Sequence, residues 1–371
     1  MTQSLNRRAF LGRSLTAGAG MAALAAGGST FLAACGSDSS SSSSSDTTSA
    51  SGAADFGTLD YQFSWIKNAE FAGQYIADQN GYYTDAGFSS VNFMAGGPTV
   101  QQDAVVASGK ALLGIGAPDI TAPAILKGAP LKIIAVLFQK NPFCVMSLAS
   151  NPVLKPEDMY GKSFGLQAVN EPVWNSFVKA NNLDVSQIEI VPVQFDPQPL
   201  VSGEVDTWFS FVTNEPNLLK VQGVDTVNFL LADFNYPLPS QTYMATTDSI
   251  ENKRDALKAV LKADIMGWHE SIKDPALGAK YAVEIYGKDL DLPGVEEQTL
   301  ESYAQNQLIV TPDTKANGIM TITPELEAEV ISTLALGGTE ITIEELFDMS
   351  LLAEVYEENP DLLATPDVVA P

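Results

Sequence analysis

From Leu59 onward the apolar side chains switch repeatedly between a period of two residues and one of three to four. A chain patterned this way buries its apolar surface by layering strands against helices. Leu59 to Trp65 alternates Leu, Tyr, Phe and Trp with polar residues, and Ala69 to Asn80 then carries Phe71, Tyr75 and Ile76 at helical spacing before Gly81. The pattern predicts further strands over 90–94, 111–115 and 131–138, with helices over 100–108 and 119–127 between them. Leu131 to Phe138 is a continuous apolar run of the kind buried in a mainly parallel sheet. Near Pro142 the pattern restarts, with strands over 143–148, 162–166, 188–192 and 206–211 and helices over 172–181 and 199–202. An extended stretch over 241–246 leads into a long amphipathic helix, 250–271, that turns Ile250, Leu257, Val260, Leu261 and Ile265 inward. The remaining C-terminal third reads as largely helical and Glu-rich. The class expected is α/β in two lobes, the chain leaving the first and returning to it, so that a ligand cleft lies between lobes about a hinge.

The head carries the most specific signal. Arg7-Arg8 precede an uncharged, Ala- and Gly-rich segment from Leu15 to Ala34, which reads as a twin-arginine export signal. It ends at Leu32-Ala33-Ala34-Cys35-Gly36, where small residues before a cysteine resemble a bacterial lipoprotein site; Cys35 would become the acylated first residue of the mature protein. A serine run from Ser39 to Ser45 follows, with nothing apolar to bury, and reads as a flexible tether. The division expected is a signal peptide over 1–34 and a tether over 35–56. Lobe 1 then takes 57–143 and 240–345, lobe 2 takes 144–239, and a helical tail takes 346–371.

Composition removes several functions. The chain holds 45 acidic and 20 basic residues, a net charge of −25, and Arg7, Arg8 and Arg13 lie in the head, so a nucleic-acid partner is excluded. Cys35, Cys144 and the single histidine, His269, assemble no zinc or iron–sulfur ligand set, and neither a metal nor a cofactor is expected. One histidine also leaves one candidate for any Ser-His-Asp or Cys-His apparatus, which disfavours hydrolase chemistry. Cys144 reads as buried and inert, and His269 as a surface or satisfied side chain of an amphipathic helix.

The run Trp65-Ile66-Lys67-Asn68-Ala69-Glu70-Phe71-Ala72-Gly73, followed in order by Gly81-Tyr82-Tyr83, Gly96-Gly97-Pro98, Ala107-Ser108-Gly109-Lys110 and Gly114-Ile115-Gly116, resembles the ABC-transporter solute-binding proteins of the nitrate/taurine/alkanesulfonate and thiamine-precursor superfamily. Phe195-Asp196-Pro197-Gln198-Pro199-Leu200, Gly203-Glu204-Val205-Asp206 and Thr213-Asn214-Glu215-Pro216 are similar to its branch that binds thiamine-pyrimidine precursors and, in a sister group, riboflavin. The resemblance spans about Leu59 to Gly287. It implies a two-lobed periplasmic-binding-type fold of type II, lipid-anchored on the outer face of the membrane. Such a protein, usually a monomer, hands a small solute to a permease driven by a cytoplasmic ATPase. The superfamily also holds an enzyme branch, the fungal thiamine pyrimidine synthases, which use iron, a cysteine cluster and a donated histidine. This chain has Phe71 where that histidine falls and no cysteine cluster, so the expectation is a binding protein and not an enzyme.

Anionic solutes call for arginine or a helix N-terminus, and past Cys35 the only arginine is Arg254, which reads as a solvated charge. A neutral or weakly basic aromatic solute suits the charge balance better, held by ring stacking and a few polar groups. Trp65 and Asn68, at a strand end, turn ring and amide to the cleft or join the core. Phe71 and Tyr75, one turn apart, are either ligand wall or packing. Gly96-Gly97-Pro98-Thr99 either brings backbone close to a ligand at a helix start or is an ordinary loop. Glu215, beside Asn214, is the preferred anchor, since a carboxylate accepts a pair of hydrogen bonds from an aminopyrimidine edge; its alternative is a helix N-terminal carboxylate. Glu171 and Trp174 open a second-lobe helix toward the same cleft, Tyr236 and Tyr243 serve as wall or hinge, and Asp119 reads as a helix cap first and a contact second. The solute expected is a thiamine-precursor pyrimidine, with riboflavin as the alternative in the same class. A thiamine pyrimidine synthase-like enzyme or exported hydrolase is the reading from a different class, and a lipoprotein that binds a protein partner the third.

Overall fold

Two mixed sheets carry the molecule, and the polarity of one strand in each explains how they are joined. The computed structural model describes residues 54–370, so the signal segment, Cys35 and the serine run lie outside the described residues. The strands are β1 (Gly57–Gln62), β2 (Phe88–Met94), β3 (Leu113–Gly116), β4 (Leu131–Phe138), β5 (Phe143–Leu148), β6 (Ser163–Leu166), β7 (Glu189–Pro192), β8 (Thr207–Phe211), β9 (Thr226–Leu230) and β10 (Ser240–Thr246). The first sheet runs β2-β1-β3-β10-β4 and the second β7-β6-β8-β5-β9. In each, three neighbours are parallel and the fourth strand is antiparallel to those on both its sides. That strand is β5 in the second sheet and β10 in the first, the two that follow a crossing between sheets. A strand entering from the neighbouring lobe arrives at the end where the parallel strands finish, and so runs against them.

Helices close both faces. Ala72–Gln79 and the long helix Arg254–Lys273 pack on the first sheet around Tyr61, Tyr75, Leu257, Leu261 and Trp268, all fully buried. In the second lobe Glu171–Asn181 sets Trp174 and Phe177 against Phe164 and Phe209. The C-terminal helix Ser350–Glu358 buries Leu351, Leu352 and Val355 in the first core.

Three local expectations are corrected. The apolar run Leu131–Phe138 is a strand over those bounds and is buried, but it is the outermost strand of its sheet, hydrogen-bonded to antiparallel β10 on one side and bridged only at Ile133 to Phe347 on the other among the described residues. Its burial comes from chain laid along the open edge: Val136 N donates to Met320 O at 2.8 Å, and Asp348 N to Ile133 O at 2.9 Å. Covering an edge in this way gives a strand both of its apolar faces without parallel neighbours. The single helix expected over 250–271 is two, Thr247–Asn252 and Arg254–Lys273, broken where Lys253 leaves helical geometry (φ −126°, ψ 29°). The Thr246 side chain starts the first, accepting from Ser249 N at 3.0 Å. Thr226–Leu230, to which the sequence pattern assigned no element, is β9; it is short and, but for Phe229, only partly buried.

Candidate functional site

The parallel strands of both sheets end toward one another, and the loops that leave those ends enclose a cavity. Ligands in open α/β sheets bind at such carboxyl ends. The segment after β1 contributes Ser64, Trp65 and Glu70, and the turn after β3 contributes Gly116 and Ala117. Phe209, Ser210 and Phe211 of β8, with Asn214 and Glu215 beyond it, line the facing wall, together with Phe143 of β5 and Gln241 of β10. The cavity is narrow as it stands, with about 50 Å³ open to the centre of a water-sized sphere.

Packing holds Trp65 at the wall. Gly96 N donates to Trp65 O at 2.8 Å, and a Cβ on Gly96 would stand 2.4 Å from the Ser64 carbonyl carbon, so the loop comes this close only because residue 96 is glycine. Glu70 is set by a polar scaffold beneath it. Asn68 caps the turn Ala69–Phe71, its Oδ1 accepting from Glu70 N at 3.3 Å, while its Nδ2 donates to Glu301 Oε1 at 3.1 Å. Gln298 Oε1 accepts from Ala69 N at 2.6 Å, and Gln305 Nε2 donates to Ala69 O at 2.8 Å. Gln298, Glu301 and Gln305 all belong to the helix Val295–Ile309, whose buried face is polar. Glu215 opens the helix Glu215–Val221, and its Oε2 accepts from Ser210 Oγ at 2.7 Å and Phe211 N at 3.1 Å.

The electrostatics are one-sided. Among the described residues neither lysine, arginine nor histidine lies on the wall, whereas Glu70 and Glu215 both do, each almost fully buried. Burial pushes the Glu70 carboxyl up to about 8 against the bonds from Ser64 and Gln241, and the nearby charge of Glu215 raises it further. Burial likewise takes Glu215 to about 7, with the bonds from Ser210 and Phe211 pulling the other way. Behind them Glu301 is raised well above the ordinary carboxylate range by burial and by Glu297, Glu70 and Glu215. Among the described residues no group of these side chains is arranged to hold a metal ion. Arg254 is spent elsewhere, forking onto Glu354 with contacts of 3.1 and 2.6 Å.

Of the residues expected at the site, Trp65, Asn214 and Glu215 meet at the cavity. Asn68 lies one layer behind, as the cap described above. Phe71 stacks on Phe63 with ring centroids 4.0 Å apart and Tyr75 on Tyr286 at 4.2 Å, both inside the first core. Tyr243 is buried there too, its hydroxyl accepting from Gln74 Nε2 at 2.7 Å. Trp174 packs on Phe164 in the second core, while Glu171 is exposed. Tyr236, on the return crossing, donates to Asp119 Oδ2 at 2.7 Å, which ties that crossing to the helix Pro118–Leu126. Gly97 and Pro98 are buried and Thr99 exposed; Pro98 O accepts from Val169 N at 2.9 Å, a backbone bond from one lobe to the other beside the cavity.

Glu70, Gln102, Ser210 and Gln241 line the cavity without having been singled out. Glu70 stands within a motif that was, but a glutamate between Asn68 and Phe71 reads as the solvent face of a helix. His269 is nearly buried on its helix, its ionisation pushed down to about 4 by burial, and it takes no part in the cavity wall.

The family model described as "NMT1/THI5 like" matches residues 68–277. A formylaminopyrimidine-binding protein of Halalkalibacterium halodurans is 26% identical over 224 residues, covering 59% of this chain and 67% of that protein. The riboflavin-binding protein RibY of Chloroflexus aurantiacus is 22% identical over 254 residues, covering 66% of this chain and 72% of that one. The solved structure of the periplasmic sulfonate-binding protein SsuA of a putative sulfonate ABC transporter from Methylobacillus flagellatus matches with a TM-score of 0.55 at 17% identity. That match covers 85% of this chain and 99% of the other, a likeness of fold.

Proposed function

The chain belongs to the NMT1/THI5-like family, and on that footing we propose that it is the extracytoplasmic solute-binding component of an ABC importer, taking up a thiamine-precursor pyrimidine and delivering it to a permease and its ATPase. The observation that carries this reading is the cavity wall: Trp65, Phe143, Phe209 and Phe211 contribute aromatic rings, Glu70 and Glu215 contribute acceptors, and among the described residues no cation lies on it. A flat heterocycle with ring nitrogens and amines matches both the rings and the acceptors. A nitrate or sulfonate would meet two buried carboxyls and no counter-charge, so the fold shared with a sulfonate-binding protein does not carry its ligand over. Riboflavin is the alternative in the same class, favoured by the likeness to RibY. Turnover is not part of this reading.

The same reading places the protein on the outer face of the membrane as a monomer, exported by the twin-arginine route and held by an acyl group on Cys35. Mass spectrometry of the membrane-extracted chain tests that part: an acylated N-terminal Cys35 supports it, and an unmodified Cys35 overturns it.

The ligand is tested by thermal unfolding of the purified chain against aminopyrimidines, their formyl derivative, riboflavin, taurine, nitrate and an aliphatic sulfonate. A ligand at 100 times its dissociation constant adds about 2.7 kcal/mol. Stabilisation by an aminopyrimidine supports the reading, stabilisation by riboflavin alone selects the alternative, and stabilisation by only the anions overturns both.

A further inference from the structure

Glu215 and Glu70 reach the cavity from different lobes. Glu215 stands at the end of β8 in the second sheet, and Glu70 on the turn after β1 in the first. Each uses one oxygen inward. Glu215 Oε2 takes the bonds from Ser210 and Phe211, and Glu70 Oε1 those from Ser64 and Gln241. Among the described residues the second oxygen of Glu70 has no protein partner. A third acceptor stands with them: Gln102 is 1% exposed, lines the cavity, and its Oε1 is unpartnered. A buried acceptor without a donor is costly, so Gln102 Oε1, with the Glu70 and Glu215 carboxyls beside it on the wall, calls for a complement made of donors.

The support under Glu70 is built rather than incidental. Gln241, which donates to it, is buried with a left-handed backbone (φ 50°) at the point where the chain re-enters the first sheet. Non-glycine residues are held in that conformation only where their surroundings over-determine it. Asn68, Gln298 and Gln305 hold the turn beneath, as described above.

We propose that Glu70 is a specificity-determining residue, which makes the preferred solute a planar heterocycle with two amine groups on opposite edges, one read by Glu215 and the other, protonated, by Glu70. This rests on the aminopyrimidine reading and narrows it. A ring with a single amine satisfies Glu215 and leaves Glu70 without its partner. A neutral acyl group on the second amine removes the charge that Glu70 is placed to meet, so the free diamine binds more tightly than its formyl derivative. Glu70 gives up its proton when the ammonium arrives, and the charge-assisted hydrogen bonds of the resulting pair supply that discrimination.

The test is calorimetric titration of the full chain and of Glu70→Gln with 4-amino-5-aminomethyl-2-methylpyrimidine and with 4-amino-2,5-dimethylpyrimidine, which lacks the second amine. Glutamine keeps the shape of Glu70 and still accepts from Ser64 and Gln241, and thermal unfolding of the empty variant checks its fold. The expected result is that the native chain prefers the diamine by about tenfold or more, and that Glu70→Gln weakens binding of the diamine by at least about fivefold more than binding of the monoamine. If the native chain binds the two probes equally, or if the variant weakens both alike, Glu70 does not set specificity and the aminopyrimidine reading stands without it. If the native chain binds neither probe, that reading falls and this inference with it.

Discussion

Two carboxyls decide the chemistry at the scale of single residues, and they carry a cost that pH exposes. Glu70 is raised from an ordinary value of 4.5 to about 8 in the folded chain, so the folded state holds its proton over a range in which the unfolded chain has released it. The folded state therefore binds more protons than the unfolded one between about pH 4.5 and 8, and stability contributed by this group is lost as pH rises through that window. Glu215, raised to about 7, acts in the same direction. Replacing Glu70 by glutamine removes its share. Glu70→Gln is expected to unfold with the native chain near pH 4.5 and to be more stable by on the order of 4 kcal/mol at pH 8, read from urea unfolding at both values. Equal stability at pH 8 would show that the carboxyl is not held protonated by its site. Glu215 was legible because it stands before Pro216 in a quoted motif. Glu70 was not, because burial of a glutamate depends on what packs over it.

Among the elements, the helix Val295–Ile309 shows why. Its Glu297, Gln298, Glu301, Ser302, Gln305 and Asn306 recur at helical spacing, the pattern of a face turned to water. In the fold that stripe points inward, because it supplies the donors and acceptors for the turn that carries Glu70. Helix crossing depends on position just as strictly. A Cβ on Gly267 would lie 2.1 Å from Gly73 O, and one on Gly73 would lie 2.4 Å from the Trp268 ring, so Ala72–Gln79 and Arg254–Lys273 touch backbone to backbone. Gly267→Ala forces the helices apart and is expected to destabilise the chain by about 1–3 kcal/mol, measured as a lower urea midpoint with an unchanged slope. A variant as stable as the native chain would mean that the crossing has room to spare.

For the whole molecule, 45 acidic residues against 20 basic ones make a body that repels itself. Raising sodium chloride from about 20 to 500 mM shortens the range of that repulsion several-fold, so the thermal midpoint should climb by a few degrees. A falling midpoint would show that ion pairs such as Arg254–Glu354 and Lys258–Glu358 outweigh the net charge. The arrangement of the lobes follows from connectivity: β5 and β10 enter their sheets antiparallel after the two crossings, and the bonds Pro98–Val169 and Tyr236–Asp119 bind the neighbourhood of the cavity across its two sides.

Periodicity by itself determined the α/β class and nearly every strand, because alternation and helical spacing are local properties that burial on one face imposes on neighbouring residues. The ordered motifs from Trp65 to Pro216 determined the family for the same reason, since they are short and contiguous. Which aromatic side chains reach the cavity was decided only by the tertiary structure. Trp65 stands at a loop that Gly96 lets approach, whereas Phe71, Tyr75, Trp174 and Tyr243 turn into cores that their residue type fits equally well. The pairing of Glu70 with Glu215 was decided there too, because two residues 145 positions apart meet only when both sheets present the ends of their parallel strands to one cavity.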